Sequence, residues 1–231
     1  PPCVSMASEM DCDVCIVGGG FVGVTVARDL AALGYRCVIL EKTDRVGGVW
    51  AMNDYPGLSL KTPGAVYRGM SHVPRWQEKP EQPCTTHQEL LRYQPTAHEI
   101  LNYIQDMSAH PLITVLYNTE YVSTTDVRKP YKVVEGRTTG QKSSAVQVFV
   151  SCRAAIMATS TSLDITSGRP HIPIDRTHVT NGALVVHSSE LSESVQKFEQ
   201  SKTKIVVGSY QAAVEVLRGC DPADNVLWVH R

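Results

Sequence analysis

Four residues have the types and spacing to hold a phosphate-linked nucleotide: Gly18, Gly20, Gly23 and Glu41. The glycines form a G-x-G-x-x-G, and Glu41 stands eighteen residues beyond Gly23. Gly18 permits a tight turn, Gly20 lets backbone approach a pyrophosphate, and Gly23 lets a helix pack close to a strand. Free N–H groups at the helix start, over Phe21 and Val22, favour the phosphate charge. A carboxylate at Glu41 can accept from the ribose hydroxyls of an adenosine. It would also meet a 2′-phosphate as a second anion, so the ligand reads as FAD or NAD rather than NADP.

The surrounding chain has the elements that such a site needs. Val14-Cys15-Ile16-Val17 is an apolar run of the length of a buried parallel strand. A helical segment follows the glycines, with Val22, Val26, Leu30 and Leu33 on one face and Gly34 as its stop. A second apolar run, Cys37-Val38-Ile39-Leu40, ends on Glu41. Strand, glycines, helix, strand and acid in register predict a dinucleotide-binding β-α-β.

Composition bounds the rest. The chain has 231 residues, 42% of them hydrophobic, and a formal net charge of −1. That length suits one large domain or one and a half. The absence of a basic stripe argues against nucleic acid and anionic membranes as partners. No apolar run approaches the roughly 20 residues of a membrane span. Seven scattered cysteines suit a reducing cytoplasm. Cys12 and Cys15 form a C-x-x-C, but Cys15 lies inside the first strand and reads as a small buried hydrophobe. No metal-ligand spacing, nucleophile elbow or carboxylate pair stands out, and catalytic residues are not legible. Residues 1–12 read as a flexible tail.

Gly47-Gly48 makes a second glycine turn, closed by Trp50. A G-x-G-x-x-G, an acid ending the second strand and then G-G-x-W resembles the FAD domain of flavin-dependent monooxygenases, which include the flavin-containing N/S-oxygenases and the Baeyer–Villiger enzymes. Asn53-Asp54-Tyr55-Pro56-Gly57 resembles the N-R-Y-P-G of the latter, and Asn118-Thr119-Glu120-Tyr121 the N-T-x-V that meets adenine, with tyrosine in place of valine. The resemblance narrows the ligand to FAD. It assigns to that cofactor Gly18, Gly20, Phe21, Val22, Gly23, Glu41 with Lys42, Gly47, Gly48, Val49 and Trp50, Tyr121, and Ala158 with Thr159.

The expected fold is α/β. A Rossmann-type, glutathione-reductase-like FAD domain with a three-stranded β-meander spans 13–163, a connector 164–202, and a truncated second β-α-β, the remnant of an NAD(P)H domain, 203–231. Residues 58–95 read as loops over the cofactor. Residues 95–109 read as a helix with Thr96 as N-cap and Glu99 completing a capping box. Strand-like runs follow at Ile113–Tyr117, Lys132–Val134 and Val146–Val150, and residues 152–160 read as a buried strand returning to the FAD sheet.

Departures from the family pattern cluster on the nicotinamide side. Ser160 replaces the glycine of A-T-G. Tyr210 replaces the second glycine of the later glycine turn, where its ring would fill the pyrophosphate's space. Lys61 and Thr62 stand where relatives carry an aspartate or an asparagine near the flavin. His187-Ser188 resembles a family H-S, with His187 read as structural. Arg231 could meet a 2′-phosphate. His72 and His98 read as surface residues. Tyr55 and Tyr67 read as packing aromatics, and Cys84 as unreactive.

The implied activity is reduction of FAD by NADPH, then transfer of one oxygen atom from O2 to a small organic substrate, which could belong to secondary metabolism, with NADPH use here in doubt. The alternative is a non-catalytic or non-redox half-protein that keeps the FAD fold. Either is expected to self-associate or to join a complementary chain that covers the incomplete second half.

Overall fold

The computed structural model describes residues 8–53, 55, 57–62, 64–67, 69, 71–72, 94–128, 131–138, 146–159, 183–186, 191, 194–208 and 211–229. Ser160, His187, Ser188, Tyr210, Arg231 and Cys84 lie outside them.

Strand β1 (Ser8–Asp11) comes first, then β2 (Val14–Val17), helix α1 (Phe21–Ala32) and β3 (Cys37–Leu40). A one-turn helix α2 (Val49–Met52), a 3-10 turn (Gly64–Tyr67) and helix α3 (Ala97–Ser108) follow. Next come β4 (Ile113–Leu116), β5 (Thr119–Arg128), β6 (Tyr131–Thr138), β7 (Gln147–Cys152) and β8 (Ala154–Met157). The chain continues through α4 (Val195–Gln200), β9 (Thr203–Val207), α5 (Gln211–Arg218) and β10 (Asn225–Val229).

The central sheet is parallel, in the order β4-β3-β2-β8. Every residue of β2 and β3 is buried, which is why both read as unbroken apolar runs. The alternation of side chains sorts them between two cores. Val14, Ile16, Cys37 and Ile39 pack against α1 and α3, through Val24, Ala27, Ile100, Ile104 and Met107. Cys15, Val17, Val38 and Leu40 pack against the second sheet, through Val134, Val148, Val150 and Cys152. The result is three layers: helices, parallel sheet, meander. Cys15 is fully buried, and burial pushes the Cys12 thiol up to about 12.

The buried stripe of α1 differs from the one expected. It runs through Gly23, Val24, Ala27 and Ala31, while Val22 and Leu33 are 61% and 70% exposed. Val26 and Leu30 reach the core only at its flank. Small side chains win because the helix start lies so close to the glycine turn: a Cβ on Gly23 would fall 2.0 Å from the Gly18 carbonyl oxygen. Gly34, at φ +91°, ends the helix as expected. The capping box at Thr96 and Glu99 is complete.

Four further expectations are corrected. Residues 8–11 form a strand rather than a tail, parallel to β7 from Ser8↔Val148 to Asp11↔Ser151. Ile113–Leu116 extends the parallel sheet beside β3 and does not open the meander. The meander has its expected three strands, but they are β5, β6 and β7, antiparallel in turn, and β1 extends their sheet to four, in the order β1-β7-β6-β5. Strand β8 joins the sheet beside β2, but as a half-exposed edge rather than a buried strand.

The later β-α-β forms a two-stranded parallel sheet, β10-β9. Its inner side packs on the first part of the chain: Val206, Ala213 and Val216 share a core with Tyr55, Leu58 and Leu191. The Lys61 ammonium binds the Glu215 carboxylate on α5, which is 2% exposed. Within this unit Lys204 binds Asp224 and donates to the Ser201 carbonyl at 2.5 Å. Among the described residues, no helix is long and apolar enough to cross a membrane.

Candidate functional site

The two glycine turns, Glu41 and the end of β8 meet where β2, β3 and β8 finish, the edge of an open parallel sheet at which ligands bind. Gly18, at φ +105°, donates its N–H to the Leu40 carbonyl at 2.9 Å. A Cβ there would lie 2.7 Å from the Ala158 carbonyl oxygen. Ala158 in turn donates to the Val17 carbonyl at 2.9 Å, and Thr159 beside it is exposed.

Gly20 is the N-cap of α1 and carries no side chain to cap it, and the first turn holds no acidic residue. The first-turn N–H groups of Phe21, Val22 and Gly23 therefore receive no side-chain cap, which is the donor arrangement that a phosphate completes. The second glycine turn lies against the first. Gly47 donates to the Gly19 carbonyl at 2.9 Å, and a Cβ on Gly48 would come 2.9 Å from the Gly20 Cα. Gly48 is the N-cap of α2, whose first residue, Val49, is half exposed.

Glu41 is 6% exposed and held by three donors. The Gly19 N–H reaches Oε2 at 2.7 Å. The Thr43 N–H and hydroxyl each reach Oε1 at 2.8 Å. The turn after β4 supports this segment: Thr119 donates to the Glu41 carbonyl and Asn118, at φ +51°, to the Thr43 carbonyl, each at 2.8 Å. Lys42 is half-buried between Glu41 and Thr43.

Phe21 and Trp50 pack rather than project. The Phe21 ring lies 4.0 Å from that of Tyr67, and the Trp50 indole N–H donates to the Tyr67 hydroxyl at 2.9 Å. Burial raises the Tyr67 phenol, and the indole hydrogen bond opposes it. These rings fasten the starts of α1 and α2 to the 3-10 turn, so both residues serve the site through backbone. Tyr121 half-buries its ring against the meander core and shares a 3.2 Å hydrogen bond with Thr124.

Other candidates fall elsewhere. Tyr55 lies in the core under α5, and Lys61 faces Glu215. His72 stacks on Tyr103 at 5.5 Å, while His98 and Thr62 are exposed. Sequence reasoning missed Thr43. Its only signal is a hydroxyl residue two places after the acid.

A family model described as an NAD(P)-binding Rossmann-like domain matches residues 16–78, the stretch that holds both glycine turns. The FAD-binding monooxygenase lolF1 of Epichloe uncinata is 35% identical over 83 residues, 35% of this chain and 15% of that protein. An open structure of cyclohexanone monooxygenase superposes with a TM-score of 0.64 at 19% identity, covering 95% of this chain. The chain resembles the N-terminal part of flavin-dependent monooxygenases. A flavin monooxygenase from Stenotrophomonas maltophilia gives a TM-score of 0.59 at 20% identity, over 96% of this chain. The superposition reaches 39% of the cyclohexanone monooxygenase chain and 58% of the Stenotrophomonas one. The fold is thus that of the flavin monooxygenases, over part of their length.

Proposed function

We propose that this chain binds FAD at the paired glycine turns and takes part in a flavin monooxygenase reaction on a small organic substrate. The observation that carries the reading is the contact of the two turns beside Glu41, so close that a Cβ on Gly48 would stand 2.9 Å from the Gly20 Cα. The donor set fits the dinucleotide. Uncapped N–H groups of Phe21, Val22 and Gly23 would face the pyrophosphate, and the Glu41 carboxylate the adenosine ribose. A relative named FAD-binding, which matches 35% of this chain, supports the same ligand.

When bound, FAD would supply the redox chemistry, taking electrons and handing them to O2. The chain's own residues would bind and orient it. The Phe21–Tyr67–Trp50 cluster keeps the phosphate-facing turn rigid, and Asn118 and Thr119 brace Glu41.

Support for a nicotinamide site is weaker. Tyr210 stands where a small residue would admit a second pyrophosphate. In this reading the electrons come from a partner or from the substrate. A second reading, a non-catalytic subunit that keeps FAD, draws on the outer face of β9 and β10. There Ile205, Val207, Leu227 and Val229 are exposed side by side, an apolar surface suited to a second copy or a complementary chain. Anaerobic NADPH added to the flavin-loaded protein tests both readings against a self-sufficient monooxygenase. Bleaching would overturn the non-catalytic reading and the absent nicotinamide site, and persistence of the oxidised flavin spectrum would exclude a chain that reduces its own flavin.

A further inference from the structure

Thr43 has one hydroxyl hydrogen and two acceptors for it. Its Oγ lies 2.8 Å from Glu41 Oε1 and 2.8 Å from the Arg45 carbonyl oxygen. One O–H cannot serve both fully. The choice sets what Glu41 can offer a ligand. A carboxylate has about four lone-pair positions. The Gly19 N–H takes one on Oε2, and the Thr43 N–H takes one on Oε1. With the Thr43 hydroxyl also on Oε1, a single position is left, on Oε2. With the hydroxyl turned to Arg45, one position is open on each oxygen.

A ribose presents two neighbouring hydroxyls, and two acceptor positions on one carboxylate match that pair. We propose that Thr43 is a positioning residue whose hydroxyl rotates from Glu41 to the Arg45 carbonyl as a ribose diol binds, opening the second acceptor. The inference rests on the FAD reading above and deepens it. The rotation carries a cost, because a hydrogen bond to a charged carboxylate is exchanged for one to a neutral carbonyl. Thr43 therefore tempers the affinity that the ribose hydroxyls supply. Asn118, donating to the Thr43 carbonyl at 2.8 Å, holds the backbone so that only the hydroxyl needs to move.

The test is the ratio of the dissociation constants of the 2′-deoxyadenosine analogue of FAD and of FAD itself, followed by flavin fluorescence. Thr43→Val removes the hydroxyl, and with it the cost of turning it away from a charged partner. The ratio should rise by roughly tenfold over wild type. Thr43→Ser keeps the rotor and should keep the wild-type ratio, a rescue that a purely structural role for the methyl group would not give. Thr43→Ala is the second variant and should move the ratio as Val does. An unchanged ratio in Val and Ala would overturn the inference while FAD binding stands. A fall would also overturn it, showing that the hydroxyl only steadies Glu41. Failure of the wild type to bind either flavin would overturn this inference together with the FAD reading.

Discussion

Gly48 and Gly20 touch through backbone alone: a Cβ on Gly48 would stand 2.9 Å from the Gly20 Cα, whereas a Cβ on Gly20 would stand 3.7 Å from the Gly48 Cα. The asymmetry separates two roles. Gly48 also sits at φ +55°, and Gly20 at an ordinary φ of −72°. Gly48→Ala should cost about 2 kcal/mol of stability, from strain and from the forced separation of the turns. Gly20→Ala should leave the melting temperature near wild type but place a methyl group where a pyrophosphate must approach. Thermal melts with and without FAD check both.

The ion pair between Lys61 and Glu215 ties α5 to the segment after the second glycine turn. Glu215 is 2% exposed, while Lys61 keeps about a third of its side chain in water. Lys61→Met should cost about 2 kcal/mol, less than a fully buried pair loses. The loss should be local. Amide exchange should rise over β9, α5 and β10 and stay low over β2 and β3. The double variant Lys61→Met with Glu215→Gln should recover part of the protection.

Asp224 gives the same unit a pH dependence. Hydrogen bonding to Lys204 holds its carboxyl below the ordinary value of 3.8, and Lys202 adds to the effect. A depressed carboxyl stabilises the fold above its unfolded pKa and loses that contribution as pH falls through the folded one. Asp224→Asn should therefore be less stable than wild type at neutral pH. The gap should close in acid below the folded pKa. Chemical denaturation across a pH series would show the convergence, and a gap independent of pH would refute the assignment.

The buried thiols should be inert. Burial pushes Cys12 to about 12 and Cys37 to about 11, and Cys15 and Cys152 upward as well. Below those values the thiol stays protonated, and the thiolate is the reactive form. At pH 8, mapping by mass spectrometry should find these four cysteines unlabelled by a disulfide reagent in the native protein. All four should be labelled in denaturant.

The sequence made the paired glycine turns and Glu41 legible because their requirements are local. A tight turn, a close backbone approach and a terminal acid each demand a residue type at a set spacing. The helix face of α1 was not legible, because Val22, Val26, Leu30 and Leu33 satisfy the helical period. What buried Gly23, Ala27 and Ala31 instead was the proximity of the helix to the sheet. Strand β5, TEYVSTTDVR, lacks an apolar run and shows most of its side chains to solvent. Its strand state comes from pairing with β6. Strand β1 likewise draws its order from β7. Thr43 and the Lys61–Glu215 pair depend on where distant or turning segments meet, and no spacing rule encodes that.

The central claim is that the paired glycine turns bind FAD, and an equilibrium titration of FAD fluorescence tests it most directly. The account predicts saturable, stoichiometric quenching with wild type and its loss in Gly20→Ala, with the variant folded by circular dichroism. Absence of saturable binding to the folded wild-type protein, or undiminished binding to Gly20→Ala, would contradict it.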